Sequence, residues 1–89
     1  GAALVVDDQA TFEAVYPFLY RHLDVRSVEV ASHLPPWEPR LEQAAAESPG
    51  ELWIYAPAAS PFHTWAAGRY TQIGSDEFDG WLLTGWHVR

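Results

Sequence analysis

The segment that most constrains the fold is an uninterrupted apolar run, Leu52-Trp53-Ile54-Tyr55-Ala56, in the middle of the chain. Pro49-Gly50 precedes the run and Pro57 follows it closely. Alternate residues of a strand face opposite sides of its sheet, so a strand that is apolar at every position is covered on both faces. The run therefore predicts a central strand, with further strands beside it and packing on both of its faces.

Two further strands are predicted before this central strand. Ala2–Val6 is a short apolar run that ends at Asp7-Asp8. Val28 and Val30 alternate with polar or small residues, which indicates a half-buried strand over Arg26–Ser32. Both segments have the length of ordinary strands.

Two helices are predicted between these strands. Apolar residues with helical spacing predict a first helix at the following positions: Phe12, Val15, Tyr16, Leu19, Tyr20 and Leu23. Pro17 lies within this stripe and predicts a kink, because it removes a backbone donor. Asp7 and Asp8 are interpreted as caps of this helix. A second helix is predicted over Trp37–Ser48, ending at Pro49-Gly50.

The last third of the chain predicts antiparallel strands. They are expected near His63–Ala67, Arg69–Ile73 and Trp81–Val88, with a turn at Gly68 and a polar loop over Ser75–Gly80. We therefore expect one small α+β domain over residues 1–89. Its mixed β-sheet follows the order β-α-β-α-β and then an antiparallel β-meander, with two helices.

The charge balance restricts the partners that the chain can bind. Twelve Asp and Glu residues face five Arg and no Lys, which gives a formal net charge of −7. A chain with this charge has no electrostatic attraction to phosphate backbones or anionic lipid, so neither nucleic acid nor a membrane is expected as a partner. No apolar run approaches the ~20 residues of a membrane-spanning helix, and no signal peptide is evident, so we expect a cytoplasmic protein.

None of the four His residues lies in a recognisable metal-ligand motif. The His residues are not spaced as paired ligands on one helix, and the lack of Cys excludes a thiolate site. There is also no glycine-rich phosphate loop. We therefore predict neither a metal site nor a cofactor.

One arrangement could support catalysis. Glu51, Arg69 and His87 each lie near the end of a predicted strand in the C-terminal half. If they met on one face, a carboxylate base, a guanidinium and an imidazole acid could hydrolyse a phosphodiester. A small hydrolase or nuclease is therefore the alternative function.

The aromatic content favours a different class of function. A binding surface is predicted from aromatic residues and nearby acids of the C-terminal sheet: Trp65, Tyr70, Trp81, Trp86, Asp76, Glu77 and Asp79. Trp81 and Trp86 differ in parity, so a regular strand sends them to opposite faces. We expect a non-enzymatic, acidic domain that binds another protein, in the manner of an inhibitor or immunity protein, or a second copy of itself.

Overall fold

The computed structural model describes residues 2–8 and 25–88 of the chain. These residues form five strands and two helices with the following bounds: β1 Ala2–Asp7, β2 Val25–Ala31, α1 Glu38–Glu47, β3 Glu51–Pro57, α2 Pro61–Ala67, β4 Thr71–Phe78 and β5 Trp81–His87. The predicted helix with its kink at Pro17 lies outside the described residues. Among the described helices, none is long and apolar enough to cross a membrane.

The strands form one mixed sheet in the order β2-β1-β3-β5-β4. β1 is parallel to both β2 and β3, whereas β5 is antiparallel to β3 and β4. The predicted α+β class with a small mixed sheet is therefore confirmed. β3 has neighbours on both sides, as the apolar run predicted, and α1 lies within the predicted Trp37–Ser48.

The strand predicted near His63–Ala67 is wrong, because this segment is helix α2. Ser60 begins the helix: its hydroxyl oxygen accepts a hydrogen bond from the Phe62 backbone N–H at 3.2 Å. Pro61 occupies the first turn, where its missing N–H costs little. Phe62 and Trp65 are spaced three apart and both are buried, so helical periodicity describes this segment better than alternation.

The polar loop predicted over Ser75–Gly80 is also wrong, because strand β4 continues to Phe78. The connection to β5 is the short turn at Asp79 and Gly80, which have φ angles of 52° and 85°. Asp-Gly is the sequence favoured for a two-residue hairpin turn in which both residues have positive φ. The C-terminal segment is thus a hairpin, not a three-stranded meander.

Both helices pack on one face of the sheet, here called the helix face. Val5, Leu52 and Ile54 lie in its buried cluster together with residues of α1 and α2, including Leu41 and Phe62. Each fully buried Val, Leu, Ile or Phe side chain contributes about 1.5–3 kcal/mol. This cluster is the larger of the two apolar clusters among the described residues.

The opposite face of the sheet, here called the far face, carries a second cluster that includes Leu4, Tyr55 and Leu83. Trp53 packs against this cluster and lies over two glycines of the neighbouring strands. A Cβ at Gly85 would be 2.5 Å from the Trp53 ring, and one at Gly74 would be 3.0 Å from it. The glycines therefore provide the space in which the indole lies flat on the sheet.

We expect Gly85→Ala to destabilise the protein by about 1–3 kcal/mol, because the added methyl group overlaps the Trp53 ring. Urea unfolding monitored by circular dichroism measures this loss. The control is Gly68→Ala, whose Cβ would meet only backbone oxygens at 3.8 Å, an ordinary contact. Equal stability of Gly85→Ala and the wild type would contradict the packing of Trp53 on β5.

Candidate functional site

The sheet divides the predicted aromatic surface into two parts. Trp65 and Trp86 are buried in the cluster of the helix face. Trp81 lies on the far face, where its ring stacks on Tyr55 with centroids 5.1 Å apart and planes 20° apart. The opposite orientation that parity predicted for Trp81 and Trp86 is therefore observed, but the tryptophans do not share one surface.

Tyr70 belongs with Trp65 on the helix-face side. The Tyr70 ring meets the edge of Trp65 at a centroid distance of 5.7 Å, and the Arg69 guanidinium lies 4.9 Å from the Trp65 ring centroid. Arg69 also reaches Glu42 of α1 at 3.7 Å. These contacts indicate packing between α2, α1 and the loop before β4.

The pairing of β4 with β5 also places the predicted acidic residues on different sides of the sheet. Asp76 is opposite Leu83, which places it on the far face, whereas Glu77 is opposite Leu82 and points to the other side. Asp79 lies in the hairpin turn. All three acids are exposed.

The alternative catalytic set is not assembled. Glu51 and His87 are register partners on β3 and β5, and both are exposed on the far face. Arg69 instead stacks on Trp65, on the helix-face side. A base, an acid and a guanidinium that converge on one phosphate are therefore not found among Glu51, His87 and Arg69.

Trp53 is not among the binding residues predicted from the sequence, although it completes the aromatic group of the far face. Its indole N–H donates a hydrogen bond to the Glu51 carboxylate at 3.3 Å. Together with Tyr55, Trp81 and the exposed Glu51 and Asp76, it forms what we call the Trp53–Trp81 surface. The signal in the sequence was the spacing of Trp53 and Tyr55, which are two residues apart in β3 and therefore face the same side of the sheet.

A shallow groove lies on the helix face, between α2 and the hairpin. It has a volume of about 290 Å³ and is lined by the following residues: His63, Thr64, Ala67, Gln72, Leu82, Thr84 and Trp86. This volume is at the lower limit of pockets that hold small molecules, roughly 300 Å³. Its polar side chains His63 and Thr84 are buried and hydrogen-bonded to each other.

A chain of hydrogen bonds fixes the protonation of His63. Its Nε2 is 3.3 Å from the Ala56 carbonyl oxygen, which can only accept, so Nε2 carries the proton. Nδ1 therefore accepts the Thr84 hydroxyl proton at 2.7 Å, and Thr84 Oγ1 accepts from the Trp86 indole N–H at 2.9 Å. The neutral imidazole thus joins α2 to β3 and β5.

We expect the pH dependence of stability to report this network. Burial lowers the pKa of His63 from its ordinary value of 6.5, so the folded state binds a proton less readily than the unfolded state. The stabilisation is present above pH 6.5 and is lost as the pH falls below it. When the pH is lowered from 7.5 to 5.5, the free energy of unfolding measured with urea should therefore decrease less for His63→Gln than for the wild type.

The matched control is His87→Gln, which removes an exposed imidazole outside this network and should leave the wild-type stability at pH 7.5 unchanged. An unchanged pH dependence in His63→Gln would contradict the assignment of a neutral, buried ring.

A further cluster lies where β1 ends. Asp7, Asp8 and His33 each place one ligand-type atom so that these atoms all lie within 4.8 Å of one another. His33 Nδ1 is 2.7 Å from Asp8 Oδ1, and this hydrogen bond lowers the pKa of Asp8. The sequence suggested only a capping role for the two acids, and the helix they were expected to cap lies outside the described residues. These side chains are the group within residues 2–8 and 25–88 that could hold a metal ion.

The comparisons with known proteins identify no relative. No protein-family model, curated protein or solved structure matches this chain.

Proposed function

We propose that this chain is a non-enzymatic domain that binds a basic protein through the Trp53–Trp81 surface. The observation that carries the proposal is the group of stacked aromatic rings with exposed carboxylates on the face of the sheet opposite α1 and α2. Such a surface suits an inhibitor that covers the binding cleft of a basic enzyme.

The aromatic residues supply the contact area. Trp53 and Trp81 are half-buried, and each is held in place, by Gly85 and by Tyr55 respectively. Trp and Tyr dominate the binding energy of protein interfaces, since they offer large surfaces with few rotatable bonds. Rings that are already fixed lose little further entropy on binding.

The charges of this surface favour a basic partner. Glu51 and Asp76 are exposed on the far face and Asp79 is exposed in the adjoining turn, within a chain of net charge −7. Opposite charge on the partner accelerates association and excludes acidic proteins. Arg40 and Arg69 are paired with Glu29 and Glu42, so neither is directed at this surface.

The hydrolase alternative has weaker support, because Arg69 is on the opposite side of the sheet from Glu51 and His87. A homodimer would use the same aromatic rings, but a second copy carries the same net charge of −7. Like charge opposes such self-association at low salt. The basic partner is therefore the proposal that aromatic rings and charge both favour.

We expect the double variant Trp53→Ala/Trp81→Ala to lose the partner. The immobilised chain is exposed to a lysate of the organism that encodes it, and captured proteins are identified by mass spectrometry. Affinity of the variant for the captured protein should fall by about 30-fold or more, which corresponds to a loss of about 2 kcal/mol. Higher salt should weaken capture by the wild type.

The matched control is Trp37→Ala, which removes a half-buried tryptophan that packs on Phe62 of the helix face. This variant should retain the partner if its melting curve shows a folded protein. Undiminished capture by the double variant, or capture of a protein with acidic charge, contradicts the proposal. A dimer in light scattering that the double variant abolishes would assign the surface to self-association instead.

A further inference from the structure

The cluster of Asp7, Asp8 and His33 occupies a distinctive position in the fold. The chain passes from β1 to β2 on one side of β1, and later returns to β3 on the other side. The strand order therefore reverses between β1 and β3, and the cluster borders this point at the carboxyl ends of β1 and β2. In open sheets with parallel strands, ligands bind outside the carboxyl ends of the strands at such a point.

The cluster is assembled from two separate segments. Asp7 ends β1 and its side chain is only 1% exposed, whereas His33 comes from the loop that follows β2. Parallel pairing places Asp7 opposite Ala31, two residues before His33. The Asp8 backbone N–H donates to the Ala31 carbonyl at 3.0 Å, which holds the two segments together.

The donor atoms lie near the spacing of ligands that share one ion. His33 Nδ1 is 2.7 Å from Asp8 Oδ1 and 3.8 Å from Asp7 Oδ1. Two atoms that bind one Zn²⁺ at about 2.0–2.2 Å lie no more than about 4.4 Å apart. The 3.8 Å separation falls within that limit, whereas the 2.7 Å hydrogen-bond contact has to open to the ~3.4 Å that separates two ligands of a tetrahedral site, a small side-chain movement.

The electrostatics of the cluster also favour a cation. Asp7 and Asp8 set two carboxyl groups side by side in a chain of net charge −7, and a divalent cation is attracted to such a pair.

We propose that Asp7, Asp8 and His33 bind one divalent transition-metal ion of the Zn²⁺ class. The imidazole nitrogen determines this class, because Mg²⁺ and Ca²⁺ select oxygen donors whereas Zn²⁺ accepts nitrogen and oxygen together. Three protein ligands leave a coordination position for water or for a group of a partner. The site is separate from the Trp53–Trp81 surface, because the parity of Asp7 with Val5 places it on the helix face.

The test is calorimetric titration of the full chain with Zn²⁺, and in parallel with Mg²⁺. We expect one Zn²⁺ per chain, a rise in melting temperature on loading, and no comparable binding of Mg²⁺. His33→Ala and Asp8→Asn should each weaken Zn²⁺ binding more than tenfold, since loss of an outer-shell partner alone costs about 10–100-fold.

The matched controls are His87→Ala and Glu47→Gln, which remove an exposed imidazole and an exposed carboxylate elsewhere. Both should bind Zn²⁺ as the wild type does. If Asp8→Asn is unfolded by circular dichroism, His33→Ala alone decides, because His33 is a loop residue at the surface. Wild-type affinity in His33→Ala, Mg²⁺ binding in place of Zn²⁺, or no Zn²⁺ binding overturns the proposal.

Discussion

Strand β3 is the element through which the two parts of the sheet are connected. It pairs with β1 in parallel and with β5 in antiparallel orientation, so it joins the crossover part of the fold to the hairpin. Its residues alternate between two buried clusters, with Ile54 on the helix face and Tyr55 on the far face. A slip of one residue in its register would exchange these two sets, and the packing of both faces would be lost.

The strands of the crossover part could be predicted from the sequence because their patterns are local. The apolar run of β3 and the alternation around Val28 and Val30 indicate strands whatever the rest of the chain does. The segment that became α2 was ambiguous, since seven residues support either periodicity. The Ser60-Pro61 pair, a capping residue followed by a proline suited to the first turn, is the signal in the sequence that a helix begins there.

The sites were harder to predict because they depend on which strands are neighbours. Trp53 can lie flat only because Gly85 is its register partner and Gly74 follows on the next strand. The separation of Arg69 from Glu51 depends on how the chain leaves α2 before it enters β4. Similarly, His33 reaches Asp8 across 25 positions of sequence only because β1 and β2 pair in parallel. Sequence spacing carries none of this information.

The position of β5 has a consequence for how the sheet is completed during folding. β5 is the last strand along the described chain, yet it lies between β3 and β4. β4 therefore attaches to the sheet only after β5 has formed, and it joins as one arm of a hairpin that closes through the Asp79–Gly80 turn. This hairpin is local and can form rapidly, whereas the pairing of β1 with β3 joins residues that are far apart in sequence and is slower. Until β5 docks, β3 presents an unpaired edge to other copies of the chain, and docking of the hairpin closes this route to aggregation.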